Sequence, residues 1–586
     1  MRHERDLLKK KIGYLLFSVV GMLFVFCFIT GSELERRGNI EWSSSHTAMI
    51  LLISFLIGSL LGSMICFVVY RLPGWSELSA GAVHKASFLG DGGTFLLCLV
   101  LIFLAWLPYF LAYYPGICAY DAVTQIGQIE TGEYVEHHPL AHTLWIRACL
   151  WLGGSLFGDA NRGGALYTLL QMLLLAAAMA YGILVLKRNA IKPGWQLLFL
   201  LFSMFYPFHG YLSVSMTKDV IFTAFFLFQV LSLFELLRIG RNDFSLHKAD
   251  ILFLVSSLGM ILFRNNGQYA MLVLTVSLPV SLLLGRGKRK RERKALLARL
   301  FLECIGALLA GNVALWALSA SVNAVQGDKR EMLSMPIQQL ARCMLYHGGQ
   351  GVYPEDDDTM AREDKELIQE LFMGDGYLGY MPHISDPVKS RTLTSVIRYQ
   401  PGRFATSYLR LMTSYFGDFV NAALEVNAGY LYLNDRSHST IYQEMYPGME
   451  GKGYVQTQWW ESVVEKTGIH KASKWPALHE KLESWADKNM YLKVPVIKYL
   501  FVPGIWLWWC LILLCALLVW RKYAFCLPLF LILGYFATLL LGPVVQLRYI
   551  YPVMVSVPYL TVLCFRQEAV REWERKESEE QKGKRK

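Results

Sequence analysis

The chain has 586 residues, of which 54% are hydrophobic and 14% aromatic, and its formal net charge is +11. A helix needs about 20 consecutive apolar residues to cross a bilayer. Many runs of this length indicate a polytopic membrane protein and exclude a soluble globular one. The excess Lys and Arg residues form short clusters without a nucleic-acid recognition module around them, so we expect no nucleic-acid partner.

Twelve apolar runs are predicted to cross the membrane, and the predicted fold class is therefore an all-α polytopic membrane protein. The run at 250–263 is short for a crossing. The predicted spans lie at about 13–30, 48–70, 94–113, 164–186, 196–213, 219–238, 250–263, 267–285, 298–320, 498–520, 524–541 and 549–565.

Basic residues in short loops favour the cytoplasmic side of a membrane. Residues 2–11 contain five Lys or Arg residues, residues 286–294 contain seven, and eight follow Phe565. With twelve spans, all these clusters are cytoplasmic, which predicts a multi-pass protein of the cell membrane with both termini in the cytoplasm. Counting residues 139–158 as a thirteenth span would invert every later loop, so we expect a half-buried helix on the outer membrane surface there.

The pattern of spans and polar stretches divides the chain into sections. Residues 321–497 are mostly polar and contain no predicted span, so they are expected to form a mainly helical extracytoplasmic domain. The predicted sections are an N-terminal two-helix membrane section (1–93), a transmembrane core (94–320) with juxtamembrane helices at 118–158, the extracytoplasmic domain (321–497), a closing three-helix section (498–565) and a basic cytoplasmic tail (566–586).

The first predicted outer loop interrupts the apolar pattern with titratable side chains. Asp121 and Gln125 share one stripe of a predicted helix that has an apolar edge. Pro139 suits the first turn of the next helix, which leaves His137 and His138 at its start. A helix with this pattern could dip into lipid while its polar stripe faces a cavity.

Further polar residues occur at the outer ends of later spans. They are Lys218, Asp219, Arg264, Arg548 and Tyr549. Charged side chains at this depth are costly and tend to line functional cavities. The three cations suit an anionic ligand such as a lipid phosphate or pyrophosphate, because guanidinium groups bind phosphate with two parallel hydrogen bonds.

The first outer loop also offers groups for acid–base or metal chemistry. Asp121 is expected to be a general base, or a metal ligand, that activates an acceptor hydroxyl. His138 and His142 are one helical turn apart and could share a divalent ion with Asp121. The sequence fixes no third ligand and names no metal.

The order of these motifs resembles that of a known superfamily. An acid early in the first outer loop is followed by "HHPLAHTLWIRACLWLGGSLFG", then by an Arg and a span that ends in "LKR". This resembles the GT-C membrane glycosyltransferases, such as protein O-mannosyltransferases and aminoarabinose transferases. The sequence "YPGICAYDAVTQ…HHPLAHTL" resembles a bacterial family, DUF6020, more closely still.

The GT-C resemblance implies a polyprenyl-phosphate-linked sugar donor and a cavity that faces away from the cytoplasm. By motif match, Asp121 falls at the catalytic acid of the superfamily and Asp219 near an acid of its second outer loop, so both are catalytic candidates. The sequence departs from the pattern at two positions. The tandem acids are Asp121 and Ala122 here, and the second Pro of the His-Pro-Pro-Leu motif is Leu140.

We therefore expect an enzyme that transfers a sugar from a polyprenyl-phosphate donor to an extracytoplasmic cell-envelope acceptor. The alternative is a transporter or flippase for a lipid-linked or anionic solute. Such proteins often have repeated halves with matching broken spans, and the sequence shows no such repeat. An envelope scaffold built around the outer domain is a third class, and it would not require Asp121 or Arg548.

Overall fold

The computed structural model describes residues 2–72, 89–119, 121–239, 248–284, 290–327, 329–353, 356–433 and 467–565. The predicted basic tail 566–586, most of the loop between the second and third predicted spans, and Tyr120 lie outside the described residues. The described secondary structure is almost entirely helical, which confirms the all-α prediction.

The helices form an almost continuous series, and many are joined by short loops. They are α1 (Arg2–Arg37), α2 (Ser44–Val69), α3 (Asp91–Ala112), α4 (Ala122–Thr131), α5 (Leu140–Phe157), α6 (Ala160–Arg188), α7 (Pro193–Phe205), α8 (Pro207–Ser213), α9 (Lys218–Ile239), α10 (Lys248–Phe263), α11 (Asn265–Leu284), α12 (Lys290–Ser321), α13 (Ser334–His347), α14 (Arg362–Leu371), α15 (Asp386–Lys389), α16 (Thr394–Tyr399), α17 (Pro401–Ser414), α18 (Phe416–Val426), α19 (Ala428–Leu431), α20 (Pro476–Asp487), α21 (Ile497–Leu500), α22 (Pro503–Val519), α23 (Cys526–Leu540) and α24 (Leu547–Cys564). Short 3-10 helices lie at Lys329–Leu333, Asp375–Gly379, Met490–Lys493 and Tyr523–Phe525. Two short strands, β1 (Ile117–Cys118) and β2 (Ser215–Met216), pair in parallel.

Eight helices in the described part of the chain are long and apolar enough to cross a membrane, as a multi-pass membrane protein requires. These are α1, α2, α3, α6, α9, α12, α23 with the 3-10 turn before it, and α24. The other four predicted spans correspond to α7 with α8, to α10, to α11 and to α22, which are not among the eight. The helix predicted at 139–158 is present as α5, and it is not among the eight either.

The prediction of one continuous helix over 196–213 is wrong. The chain forms α7 and α8 instead, with a break at Tyr206, where ψ is 117°. Pro207 causes the break, because proline has no N–H to donate and pushes the residue before it out of the helical region. The short α8 is buried, and Nδ1 of its His209 lies 2.7 Å from the hydroxyl of Tyr551 on α24.

The large polar segment contains two parts that pack differently. Its first part has a hydrophobic core of its own, to which α13, α14, α17 and α18 contribute. The described residues of its last part, 428–433 and 467–497, contribute Tyr430, Leu482 and Tyr491 to the main core of the bundle instead. The prediction that this segment is mainly helical agrees with α13 and α14 in its first part.

Polar contacts anchor the first part of this segment to the loop between α1 and α2. Arg342 on α13 donates to the side chain of Asn39 at 2.8 Å, and Asn421 on α18 donates to the carbonyl of Ile40 at 3.1 Å. The indole of Trp42 donates to Asn421 at 2.9 Å. These hydrogen bonds therefore hold the segment against the loop of the N-terminal helix pair.

Candidate functional site

The pairing of β1 with β2 brings two distant loops together. β1 follows α3 and leads to Asp121, while β2 follows α8 and leads to Lys218. Gly116 makes this approach possible. Its φ is +140°, and a Cβ atom there would lie 2.2 Å from Oγ1 of Thr168 on α6, so only glycine fits without displacement.

Five charged side chains meet at this junction and are called the ion cluster: Asp121, Lys218, Asp219, Arg264 and Arg548. Lys218 is ion-paired with Asp121, and Arg264 with Asp219. Nη1 of Arg548 bridges the two carboxylates, at 2.9 Å from Asp219 Oδ2 and 3.4 Å from Asp121 Oδ2. Two carboxylates against three cations leave one positive charge in excess.

The ion cluster is buried to different depths. The side chain of Asp219 is completely buried, and those of Arg548 and Arg264 are 6% and 7% exposed. The side chains of Lys218 and Asp121 are 13% and 26% exposed. A molecule that enters this site therefore meets Asp121 and Lys218 first, while Asp219 is inaccessible behind the two guanidinium groups.

Electrostatics fix the charge state of the accessible groups. Burial would raise the pKa of the Asp121 carboxyl, but Lys218 and Arg548 outweigh burial and hold this pKa well below its usual value. Burial and the neighbouring Lys218 lower the pKa of His138 to about 3. His138 is therefore neutral, and its Nδ1 accepts from Lys218 Nζ at 3.3 Å.

Aromatic and amide groups hold the two guanidinium groups in place. Arg548 donates from Nε to the side chain of Gln546 at 2.6 Å and from Nη2 to the hydroxyl of Tyr549 at 3.0 Å. The guanidinium of Arg264 lies 4.8 Å from the centre of the Tyr549 ring, a cation–π distance. Both arginines are therefore fixed in orientation.

The structure brings most of the predicted site residues together. The five residues of the ion cluster, His138 and Tyr549 form one site. The exposed His137 lies at its rim, with its ring centre 4.5 Å from that of His138. Gln125 and His142 are buried behind the ion cluster, where they bond to each other and not to its charges.

Sequence reasoning missed two buried residues of the same layer, Tyr167 and Gln171 on α6. The hydroxyl of Tyr167 lies 2.7 Å from Nε2 of His142 and donates to Gln171 at 2.9 Å. A detectable signal exists, because two polar residues four positions apart share one face of an otherwise apolar span.

The divalent ion that the sequence analysis considered at Asp121, His138 and His142 stays a prediction. No group of three or more His, Cys, Asp and Glu side chains in the described ranges is placed to hold a metal. Both ring nitrogens of His142 already face protein partners. The carboxylates of Asp121 and Asp219 are paired with Lys218, Arg264 and Arg548.

Comparison with known proteins identifies a family but no activity. The family of unknown function DUF6020 matches residues 130–582, a segment that includes Lys218, Asp219, Arg264 and Arg548 and begins shortly after Asp121. No curated protein and no solved structure matches the chain. Because the match spans more than half of the sequence, the chain belongs to the DUF6020 family.

Proposed function

We propose that the protein is a membrane glycosyltransferase of the GT-C type, which moves a sugar from a polyprenyl-phosphate donor to a cell-envelope acceptor on the outer side of the membrane. The observation that carries the proposal is the ion cluster, with its excess positive charge and its accessible Asp121–Lys218 pair. Such a cluster in a bundle of apolar helices suits a ligand with an anionic head and an apolar chain.

The phosphate of the donor is proposed to bind against Lys218 and Arg548. Both side chains now direct an N–H group at the same oxygen of Asp121. A phosphate offers several oxygens and more negative charge, so it can take over these donors while Asp219 keeps Arg264 and Arg548 in place. In this proposal, Asp219 has a positioning role.

Asp121 then acts as the general base. When phosphate draws Lys218 and Arg548 away, the pKa of Asp121 rises and the carboxylate becomes a better base. It takes the proton of an acceptor hydroxyl, whose oxygen forms a bond to the anomeric carbon. The bond between that carbon and the phosphate oxygen breaks, and the electron pair leaves with the polyprenyl phosphate.

Sugar transfer by purified protein in lipid nanodiscs tests the proposal, with a panel of labelled polyprenyl-phosphate sugars as donors. Asp121→Asn should lose roughly 10²–10⁴-fold in turnover, the usual contribution of a general base. Asp159→Asn is the matched control, since Asp159 is a half-exposed cap of α6. Wild-type turnover by Asp121→Asn would refute the role of Asp121.

Donor binding is tested separately with Lys218→Gln. Loss of a hydrogen bond from a charged donor costs about 1.5–3 kcal/mol, so the KM for the donor should rise roughly 10- to 150-fold. An unchanged KM would refute phosphate binding at Lys218. If the labelled donor crosses the bilayer of proteoliposomes intact, without sugar transfer, the protein is a flippase and the glycosyltransferase proposal fails.

A further inference from the structure

A continuous line of buried hydrogen bonds runs behind the ion cluster. Gln125 on α4 lies 2.8 Å from Nδ1 of His142 on α5, and Nε2 of the same ring lies 2.7 Å from the hydroxyl of Tyr167 on α6. Tyr167 in turn donates to Gln171 at 2.9 Å. All four side chains are at most 1% exposed, so water does not compete for these bonds.

The two ends of this line of hydrogen bonds are connected to the chain segments that carry Asp121 and Lys218. Gln125 is one helical turn after Asp121, and its backbone N–H donates to the Asp121 carbonyl at 3.1 Å. At the other end, Nε2 of Gln171 donates to the carbonyls of Ser213 at 2.9 Å and Ser215 at 2.8 Å. Ser215 belongs to β2, which leads directly to Lys218. The line therefore joins the chain segment of Asp121 to that of Lys218.

Counting donors and acceptors determines the proton positions along the line. Two carbonyls require the amide N–H groups of Gln171, so its oxygen accepts from Tyr167. The Tyr167 oxygen must then accept from Nε2–H of His142. Burial, aided by Lys218, lowers the pKa of His142 to about 3, which favours a neutral ring whose Nδ1 carries no proton.

A bare Nδ1 needs a donor, and among the described residues the side-chain amide of Gln125 is the group that faces it. The two ends of an amide have nearly the same shape, and their assignment follows from the hydrogen bonds. The structure places Oε1 of Gln125 at 2.8 Å from Nδ1 of His142 and its amide nitrogen at 2.8 Å from Thr143 Oγ1. A neutral Nε2–H ring requires the two ends of this amide to be exchanged, so that the N–H group of Gln125 donates to Nδ1 and its oxygen accepts from Thr143.

We propose that Gln125, His142, Tyr167 and Gln171 are positioning residues that hold Asp121 in register with Lys218, with His142 as its neutral Nε2–H tautomer. The line ends on backbone carbonyls, which cannot carry a proton onward, so it is not a proton relay. A neutral ring also leaves the charge of the ion cluster unchanged, whereas an imidazolium would add a cation near Lys218. The effect of these four residues on turnover rests on the proposed function, but their hydrogen bonds do not.

Solid-state NMR of the full chain in bilayers, labelled with ¹⁵N at histidine and lysine, tests the tautomer. His142, assigned from the signals lost in His142→Asn, should show one protonated and one bare nitrogen. In Gln125→Glu, a carboxylate cannot donate to Nδ1, so both nitrogens should become protonated. Two protonated nitrogens already present in the wild type would overturn the proposed tautomer.

Tyr167→Phe tests the positioning role. This substitution breaks the line, so the Lys218 Nζ signal, assigned with Lys218→Gln, should shift and kcat for the donor should fall at least tenfold with little change in KM. Tyr551→Phe is the matched control, since it removes an equally buried Tyr–His bond from another part of the bundle. An unmoved Lys218 signal in Tyr167→Phe, or equal effects of both substitutions, would overturn the proposal even if no donor is turned over.

Discussion

Asp219→Asn should destabilise the protein strongly, although the two side chains have nearly the same shape. Asp219 has no exposed surface and is the only carboxylate that contacts Arg264 among the described ion pairs. It also accepts from Arg548 at 2.9 Å. Removing one charge of a buried pair costs about 3–5 kcal/mol. We expect the upper part of this range, because Arg264 loses its counterion and Arg548 keeps only the longer contact with Asp121, at 3.4 Å.

The measurement uses the protein's own thiols. All eleven cysteines are free and ten of them are buried, so a thiol-reactive dye reports unfolding as SDS is added to the purified protein. The control is Asp159→Asn, whose half-exposed pair with Arg162 at 3.7 Å should contribute about 0–1 kcal/mol. Replacing Arg264 by Gln in the Asp219→Asn protein should recover part of the loss. If Asp219→Asn unfolds like Asp159→Asn, the ion cluster is not a balanced buried network.

Three further outcomes follow from other parts of the chain. In the same thiol assay, Gly116→Ala should lower the free energy of unfolding by roughly 1–3 kcal/mol, because the new Cβ would lie 2.2 Å from Oγ1 of Thr168. Adding Thr168→Ala should restore part of the lost stability. His347 is bonded to Asp418 at 2.9 Å, and although burial lowers its pKa, carboxylate contacts raise it overall. Its contribution to stability is therefore present below about pH 6.5 and is lost as the pH rises through the raised pKa. The free energy of unfolding of His347→Gln should be lower than that of the wild type at low pH and should become similar to it at high pH. Lys187→Cys should resist a membrane-impermeant maleimide added to intact cells, and strong labelling would refute the predicted orientation.

The sequence predicts which helix ends meet, but not which side chains pair. The alternation of apolar runs and loops predicts that Asp121, Lys218, Arg264 and Arg548 lie on the same side of the membrane, and the structure brings them together. Hydropathy does not fix the rotation of each helix about its axis, so it could not show that Asp219 turns inward towards Arg264 while its neighbour Lys218 turns to Asp121.

The failure to predict two further residues of the site has the same physical cause. Tyr167 and Gln171 could be noticed as polar residues in an apolar span, but their partner His142 comes from a helix whose packing against α6 the sequence does not specify. The break at Pro207 could not be predicted from proline alone, because Pro108, Pro279, Pro552 and Pro558 lie inside continuous apolar helices.

The contact between the polar segment and the loop after α1 has a practical consequence for fragment expression. Arg342 bonds to Asn39, which lies 303 residues earlier in the chain, and Asn421 bonds to Ile40, which lies 381 residues earlier. On the other side, the backbone of Ser385 donates to the carbonyl of Pro543 at 2.9 Å. A soluble fragment cut at residues 321 and 433 loses both sets of partners and exposes buried polar groups, so this segment can be purified intact only with the N-terminal helix pair and the last helices attached.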